Sequence, residues 1–223
     1  RFGDLHAHPA APTMAGHPEI FEIHATRNSK VANGEFWHSD VSCDETPPLG
    51  TMLQIHIAQP CCGDTMFSNM YSAYDTLSEP VKRMLEGLTA THESEHIYKG
   101  RYTDRGRNDA DIDCPMAIHP VVRSHPDTSR KALFVNRTFT TRINELSSAE
   151  SDAVLEMLFS HAEHIDHQIR RVLNKEPPIV ERNFILKNQD GHYWGRGKEW
   201  VDGSDRARVA QYKHRDEGSN TVF

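Results

Sequence analysis

Apolar residues recur at helical spacing in two well-signalled stretches of this 223-residue chain, and the segments around them read as short strands and loops. The first helix is expected from Ser78-Glu79-Pro80, with Val81, Met84, Leu85 and Leu88 along one stripe. Proline suits a first helical turn, where the amide it lacks would have no partner. The second helix is expected from Ser147, whose partner Glu150 completes a capping box. Its stripe runs Val154, Leu155, Leu158, Phe159, Ala162 and Ile165. Met52 to Ala58 has period two instead: Leu53, Ile55 and Ile57 fall on one side, Gln54 and His56 on the other. Ile20 to Ile23, Thr65 to Phe67, Ile118 to Val122 and Ala132 to Val135 read as further strands, with a turn at Cys61-Cys62-Gly63-Asp64. Regular alternation of strand and helix is missing, which argues against a doubly wound parallel sheet. The fold class is therefore expected to be mostly β with helices, an antiparallel sandwich or jelly roll.

Two stretches look irregular. Residues 1–50 are rich in Pro, Gly and His and read as loops around the single strand at Ile20. Lys99 to Asp113 carries Arg101, Arg105, Arg107, Asp109 and Asp111 with almost no apolar residue, and reads as a mobile loop or lid.

A chain of this length makes one domain with a sizeable core, here residues 1–223. Lys and Arg total 25 against 32 Asp and Glu, a net charge of -7. That balance argues against nucleic acid or an anionic membrane surface as partner, since both select basic faces. No apolar run approaches the roughly 20 residues of a membrane span. The opening Arg1-Phe2-Gly3-Asp4 shows neither an initiator Met nor a signal-peptide pattern, so the expectation is a cytoplasmic protein whose N-terminal part is incomplete. Cys43, Cys61, Cys62 and Cys114 form no CxxC pair and read as reduced thiols.

Histidine is the unusual residue, with 15 copies. In Trp37-His38-Ser39-Asp40, His38 and Asp40 are two apart, so in extended backbone they project to one side. An imidazole and a carboxylate so placed can share a metal, and a third ligand would complete a facial triad with three positions left open. His161, His164 and His167 also sit at regular spacing on the second helix, where the reading is a solvated helix face.

The surroundings of the HxD make it more specific. Trp37-His38-Ser39-Asp40-Val41, Glu45-Thr46-Pro47-Pro48 and Gly63-Asp64-Thr65 resemble the taurine dioxygenase family of Fe(II)- and 2-oxoglutarate-dependent dioxygenases. So do Arg1 to His6, Tyr74 to Ser78, His119 to Pro126, Ala132 to Asn136 and Phe139 to Ile143, in order and spacing. The resemblance covers about residues 1 to 170. It implies a double-stranded β-helix (jelly-roll) core, and a small-molecule substrate oxidised with O₂ and 2-oxoglutarate to give succinate and CO₂.

Carried over, the resemblance makes His38 and Asp40 iron ligands and gives Thr65 the hydroxyl that holds the distal carboxylate of 2-oxoglutarate. His8 and Phe139 match substrate-pocket positions, and Tyr98 stands at an aromatic one. Where the family has a Tyr and an Asn, this chain has Ala11 and Gly34, which would leave taurine poorly satisfied and argues against it as the substrate. The resemblance implies a small organic substrate, a sulfonate or another anion. After Arg170 the pattern departs from the family. The nearest echo of the distal metal ligand is His192, with Arg206 and Arg208 fourteen and sixteen residues beyond as candidate 2-oxoglutarate anchors and Arg215 as a rival. Alternating apolar residues are lacking in Arg196 to Gly218, which speaks against a regular barrel strand there. A catalytically inactive member serving as a binding or structural domain is the alternative, a metal-binding cupin isomerase a more distant one, and a homo-oligomer is left open.

Overall fold

The computed structural model describes residues 4–25, 36–48, 50–57, 65–125, 128–171 and 205–213. The strands, in chain order, are β1 (Asp4–His6), β2 (Thr13–Met14), β3 (His17–Ala25), β4 (Gly50–Ile57), β5 (Thr65–Ser68), β6 (Thr89–Glu93), β7 (Met116–Pro120), β8 (Val122–Ser124), β9 (Lys131–Leu133), β10 (Thr140–Ile143), β11 (Gln168–Arg171) and β12 (Asp205–Lys213). The helices are α1 (Met70–Asp75), α2 (Glu79–Leu85), α3 (Glu95–Tyr98) and α4 (Ser148–Ala162). The described fold is mostly strand with few helices, and every described pairing is antiparallel. No helix is long and apolar enough to cross a membrane among the described residues.

The largest sheet is organised by β12. One of its edges pairs with β4 along Arg206 to Tyr212, and the other pairs first with β3 and then with β1. The expectation that this stretch would not form a regular strand is corrected here: Asp205–Lys213 is paired on both sides. Strand pairing is made by backbone amides and carbonyls, so a strand flanked on both edges tolerates a charged sequence better than its apolar count suggests. The N-terminal fifty residues likewise hold β1 and β2 beside the expected strand at Ile20. A three-stranded sheet with β6 between β10 and β7, and the pairs β5–β11 and β8–β9, complete the described strands.

Both expected helices form. In α4 the Glu150 carboxylate accepts from the Ser147 amide at 3.0 Å and its hydroxyl at 2.7 Å, closing the first turn as the spacing predicts. Leu155, Leu158, Phe159 and Ala162 are buried against Met70, Leu85, Leu133, Val135 and Ile143. Leu155, Leu158 and Phe159 each contribute about 1.5–3 kcal/mol through removal from water. Ile165 does not continue this stripe. The helix ends at Ala162, a 3-10 turn takes over at Ile165–His167, and Ile165 is 74% exposed. Similarly α2 stops at Leu85, so Leu88 lies past the helix, although it packs on the same core.

Two further expectations are corrected by side-chain contacts. His161 and His167 do not line a solvated helix face: His161 Nε2 donates to the Ala73 carbonyl at 2.8 Å, and buried His167 places Nδ1 3.0 Å from the Ser72 hydroxyl. They tie α4 and the 3-10 turn to α1. The stretch Lys99 to Asp113 is also anchored. It forms two 3-10 turns, buries Tyr102 and Ile112, and Arg105 donates to the carbonyls of Glu22 and His24 on β3. A second apolar cluster results, in which Tyr102 and Ile112 join Ala10, Ala11, Val41, Cys43, Tyr98 and Phe139.

Candidate metal and substrate site

The turn carrying His38 and Asp40 joins the two apolar clusters. Trp37 is buried in the larger cluster and Val41 in the smaller. Between them the backbone bends sharply enough to put Val41 at φ 49°. A β-branched residue in the left-handed region costs of order 1–3 kcal/mol and persists only where its surroundings over-determine it. The surroundings do so from four strands or their connections. Thr138 donates to the Trp37 carbonyl at 3.0 Å, Asn136 Nδ2 to the Ser42 hydroxyl at 2.9 Å, and His119 Nε2 to the Asp44 carbonyl at 3.0 Å. His92 Nδ1 lies 3.0 Å from the same Ser42 hydroxyl, and His6 Nε2 lies 3.3 Å from Asp44 Oδ2.

Within this clamped turn the two candidate ligands converge. His38 Nδ1 lies 2.7 Å from the Phe36 carbonyl, which can only accept, so Nδ1 carries a proton and, in the neutral ring, Nε2 keeps its lone pair. That nitrogen faces Asp40 Oδ1 at 3.1 Å. Two acceptors so close require a cation between them, either a proton or a metal ion. Donor atoms about 2.1 Å from one divalent ion and at right angles to each other are separated by about 3 Å, so the pair fits a metal. The donor set, one imidazole and one carboxylate, suits Fe(II). The other carboxylate oxygen, Oδ2, accepts a 2.6 Å hydrogen bond from Thr51 on β4. Among the described residues no third His, Cys, Asp or Glu joins the pair, and His192 lies outside the described residues.

His8, Tyr98 and Phe139 come together beside this turn. His8 Nδ1 accepts from the amides of Ala10 and Ala11 at 3.1 and 3.0 Å, so its proton sits on Nε2. Its ring lies 5.1 Å from Phe21 and 5.2 Å from Tyr98, and Tyr98 lies 6.0 Å from Phe139. This enclosure strips water from the imidazole and lowers its pKa to about 4, against an opposing pull from the Asp40 carboxylate. Burial likewise pushes the Tyr98 phenol well above its ordinary value, and Asp40 adds to that shift. Val41 and Cys43 of the ligand turn pack in one apolar cluster with Tyr98 and Phe139, so the aromatic wall adjoins the turn. At neutral pH His8 and Tyr98 are both neutral hydrogen-bond donors. Ala11 is buried in the same wall and offers no polar side-chain contact.

The remaining candidates are placed less completely. Thr65 opens β5 opposite Arg171 of β11, and no described hydrogen bond joins it to His38 or Asp40. Arg206 and Arg208 lie two apart on β12, opposite Ile57 and Gln54 of β4 and opposite His24 and Glu22 of β3. Further along the same pairing, Gln211 stands opposite Thr51, the residue bonded to Asp40. The C-terminal strand thus runs beside the candidate ligand turn. Arg215 lies outside the described residues. Sequence reasoning missed Thr51, Asn136, Ser42 and the pair His6–Asp44, whose partners are 11 to 94 residues apart. For β12 the sequence signal is confined to four residues, Arg206 to Val209, in which Ala207 and Val209 follow Arg206 and Arg208. That run is too short to mark a strand against the surrounding stretch.

Residues 1–176 match the family described as taurine catabolism dioxygenase TauD, TfdA family, and the chain belongs to it. It is similar to the alpha-ketoglutarate-dependent dioxygenase cnsM of Penicillium expansum, at 36% identity over 171 residues, covering 72% of this chain and 47% of that protein. It is similar also to the alpha-ketoglutarate-dependent sulfonate dioxygenase of Saccharomyces cerevisiae, at 30% identity over 189 residues, covering 80% of this chain and 45% of that protein. The chain therefore spans about half the length of these relatives. The solved structure of a taurine dioxygenase from Burkholderia xenovorans superposes with a TM-score of 0.73 at 23% identity, over 96% of this chain and 69% of that one, which shows a shared fold.

Proposed function

We propose that this chain carries the active site of an Fe(II)- and 2-oxoglutarate-dependent dioxygenase that hydroxylates a small anionic organic substrate, with release of succinate and CO₂. The observation that carries the reading is the approach of His38 Nε2 and Asp40 Oδ1 to 3.1 Å, with the His38 tautomer set by the Phe36 carbonyl. Family membership and the names of the relatives support it, among them one sulfonate dioxygenase. His192 is proposed as the third ligand, and the core as a jelly roll. His38 and Asp40, with His192 as the proposed third ligand, would hold the iron, which would supply the redox chemistry of the reaction with O₂ as the oxidant.

The chain's own residues supply binding and enclosure. Thr65, with Arg206, Arg208 or Arg215, is proposed to hold the distal carboxylate of 2-oxoglutarate, since a guanidinium fork binds a carboxylate with two parallel hydrogen bonds. His8 offers a neutral Nε2–H, Tyr98 a neutral hydroxyl, and Phe139 an apolar wall for the substrate. Buried Ala11 in place of a polar contact supports a substrate other than taurine. Residues 1–223 are proposed to belong to a single dioxygenase domain of a cytoplasmic enzyme.

The test is an anaerobic titration with Fe(II) and 2-oxoglutarate. A weak visible charge-transfer band that requires both components is expected. Its absence with metal demonstrably bound would favour an inactive binding domain.

A further inference from the structure

We propose that Thr51 is the positioning residue of the metal centre, orienting the Asp40 carboxylate so that one oxygen alone serves as ligand. The inference rests on the metal-binding reading of His38 and Asp40. The two oxygens of Asp40 have separate partners: Oδ1 faces His38 Nε2 at 3.1 Å, and Oδ2 accepts from Thr51 Oγ1 at 2.6 Å. A hydrogen bond of that length to a carboxylate is in the charge-assisted range. An aspartate carboxylate turns easily about its last torsion, which is broad and two-fold. Loss of the Thr51 bond removes a restraint on Oδ2 and eases rotation of both oxygens toward the metal, or of the group away from it.

The donor is itself well held. Thr51 is 8% exposed and sits on β4, where it pairs with Gln211 of β12. A strand fixes a hydroxyl more closely than a loop does, and the β-branch of threonine stiffens its first side-chain torsion. The restraint matters here because Asp40 immediately precedes strained Val41. Relaxation of that residue would swing the carboxylate, and the bond to Thr51 ties it to a sheet instead. Through β12 the pairing also links the C-terminal strand to the ligand: a shift of its register against β4 would move Thr51 and Asp40 with it.

The experiment measures Mn(II) affinity and the Co(II) visible spectrum for the wild type, Asp40→Ala, Thr51→Val, Thr51→Ala and Thr51→Ser, with unfolding midpoints of the metal-free proteins alongside. Thr51→Val is nearly isosteric and removes the hydroxyl. A loss of Mn(II) affinity of about 10-fold or more is expected for it, as for other residues that orient a metal ligand. Its Co(II) spectrum should shift, because the carboxylate changes its mode of binding. Thr51→Ser should restore both affinity and spectrum, which a purely structural role of the threonine methyl would not predict. Wild-type affinity and spectrum in Thr51→Val, with Asp40→Ala impaired, would overturn the role of Thr51 and leave the metal site standing. A wild type that binds no Mn(II), or an Asp40→Ala variant that binds it equally well, would overturn the metal reading and this inference together. If Thr51→Val does not fold, the comparison of Thr51→Ala with Thr51→Ser decides, and equal affinity of those two overturns the proposal.

Discussion

Asn136 and Ser42 are 94 residues apart in sequence and meet through a 2.9 Å hydrogen bond from the Asn136 amide to the Ser42 hydroxyl. The same Asn136 accepts the Phe139 amide on its Oδ1 at 2.8 Å, so one buried side chain ties the candidate ligand turn to the strand entry that carries Phe139. Asn136→Ala leaves the Phe139 amide buried without that partner. A loss of about 1–3 kcal/mol is expected on this ground. Urea denaturation of the variant and the wild type measures it, and Mn(II) affinity should fall in parallel because the turn loosens.

Asp40→Ala and His38→Ala should each abolish Fe(II)-dependent conversion of 2-oxoglutarate to succinate, while far-UV circular dichroism stays close to that of the wild type. Both side chains are only partly buried and belong to neither apolar cluster, so their removal takes little from the core. Near-normal succinate formation in either variant would contradict the assignment.

Acid should destabilise the fold through its buried histidines. Burial lowers His8 to about 4, His92 to about 3 and His119 to about 4, all from 6.5. In each case the unfolded chain binds the proton more readily than the native one. The stabilisation by these neutral rings is therefore complete above about pH 6.5 and is lost as pH falls toward 4. Each fully responding group contributes a slope of about 1.4 kcal/mol per pH unit in that window. Denaturant unfolding at pH 7, 6 and 5 should show stability decreasing at each step, and a flat profile would refute the neutral state of these rings.

The corrected stripe of α4 can be checked by a pair of substitutions. Leu158 is fully buried, and Leu158→Ala should cost about 2–5 kcal/mol. Ile165 is largely exposed, and Ile165→Lys should stay within about 0.5 kcal/mol of the wild type. Thermal or urea unfolding separates the two. A continuous helical stripe would make both changes costly.

The sequence by itself determined the features carried by neighbouring residues. Ser147 and Glu150 announce α4 because a capping box is made within one turn. Leu53, Ile55 and Ile57 mark β4 because side chains alternate along any strand. His38 and Asp40 are legible as a pair because two-residue spacing brings them to one side, and the blocks around them identify the family. The tertiary structure alone decided the rest. The place of β12 between β4 and the β3–β1 edge depends on backbone pairing over long separations, to which the charge of Arg206 and Arg208 is no obstacle. That His161 and His167 face α1, not water, follows from where α4 ends and how it packs. The hydroxyl on Asp40 comes from Thr51, an unremarkable strand residue in sequence, because only the folded chain brings β4 against the ligand turn. Periodicity reports what one segment buries, whereas the partner of a buried polar atom is chosen by the segment that packs against it.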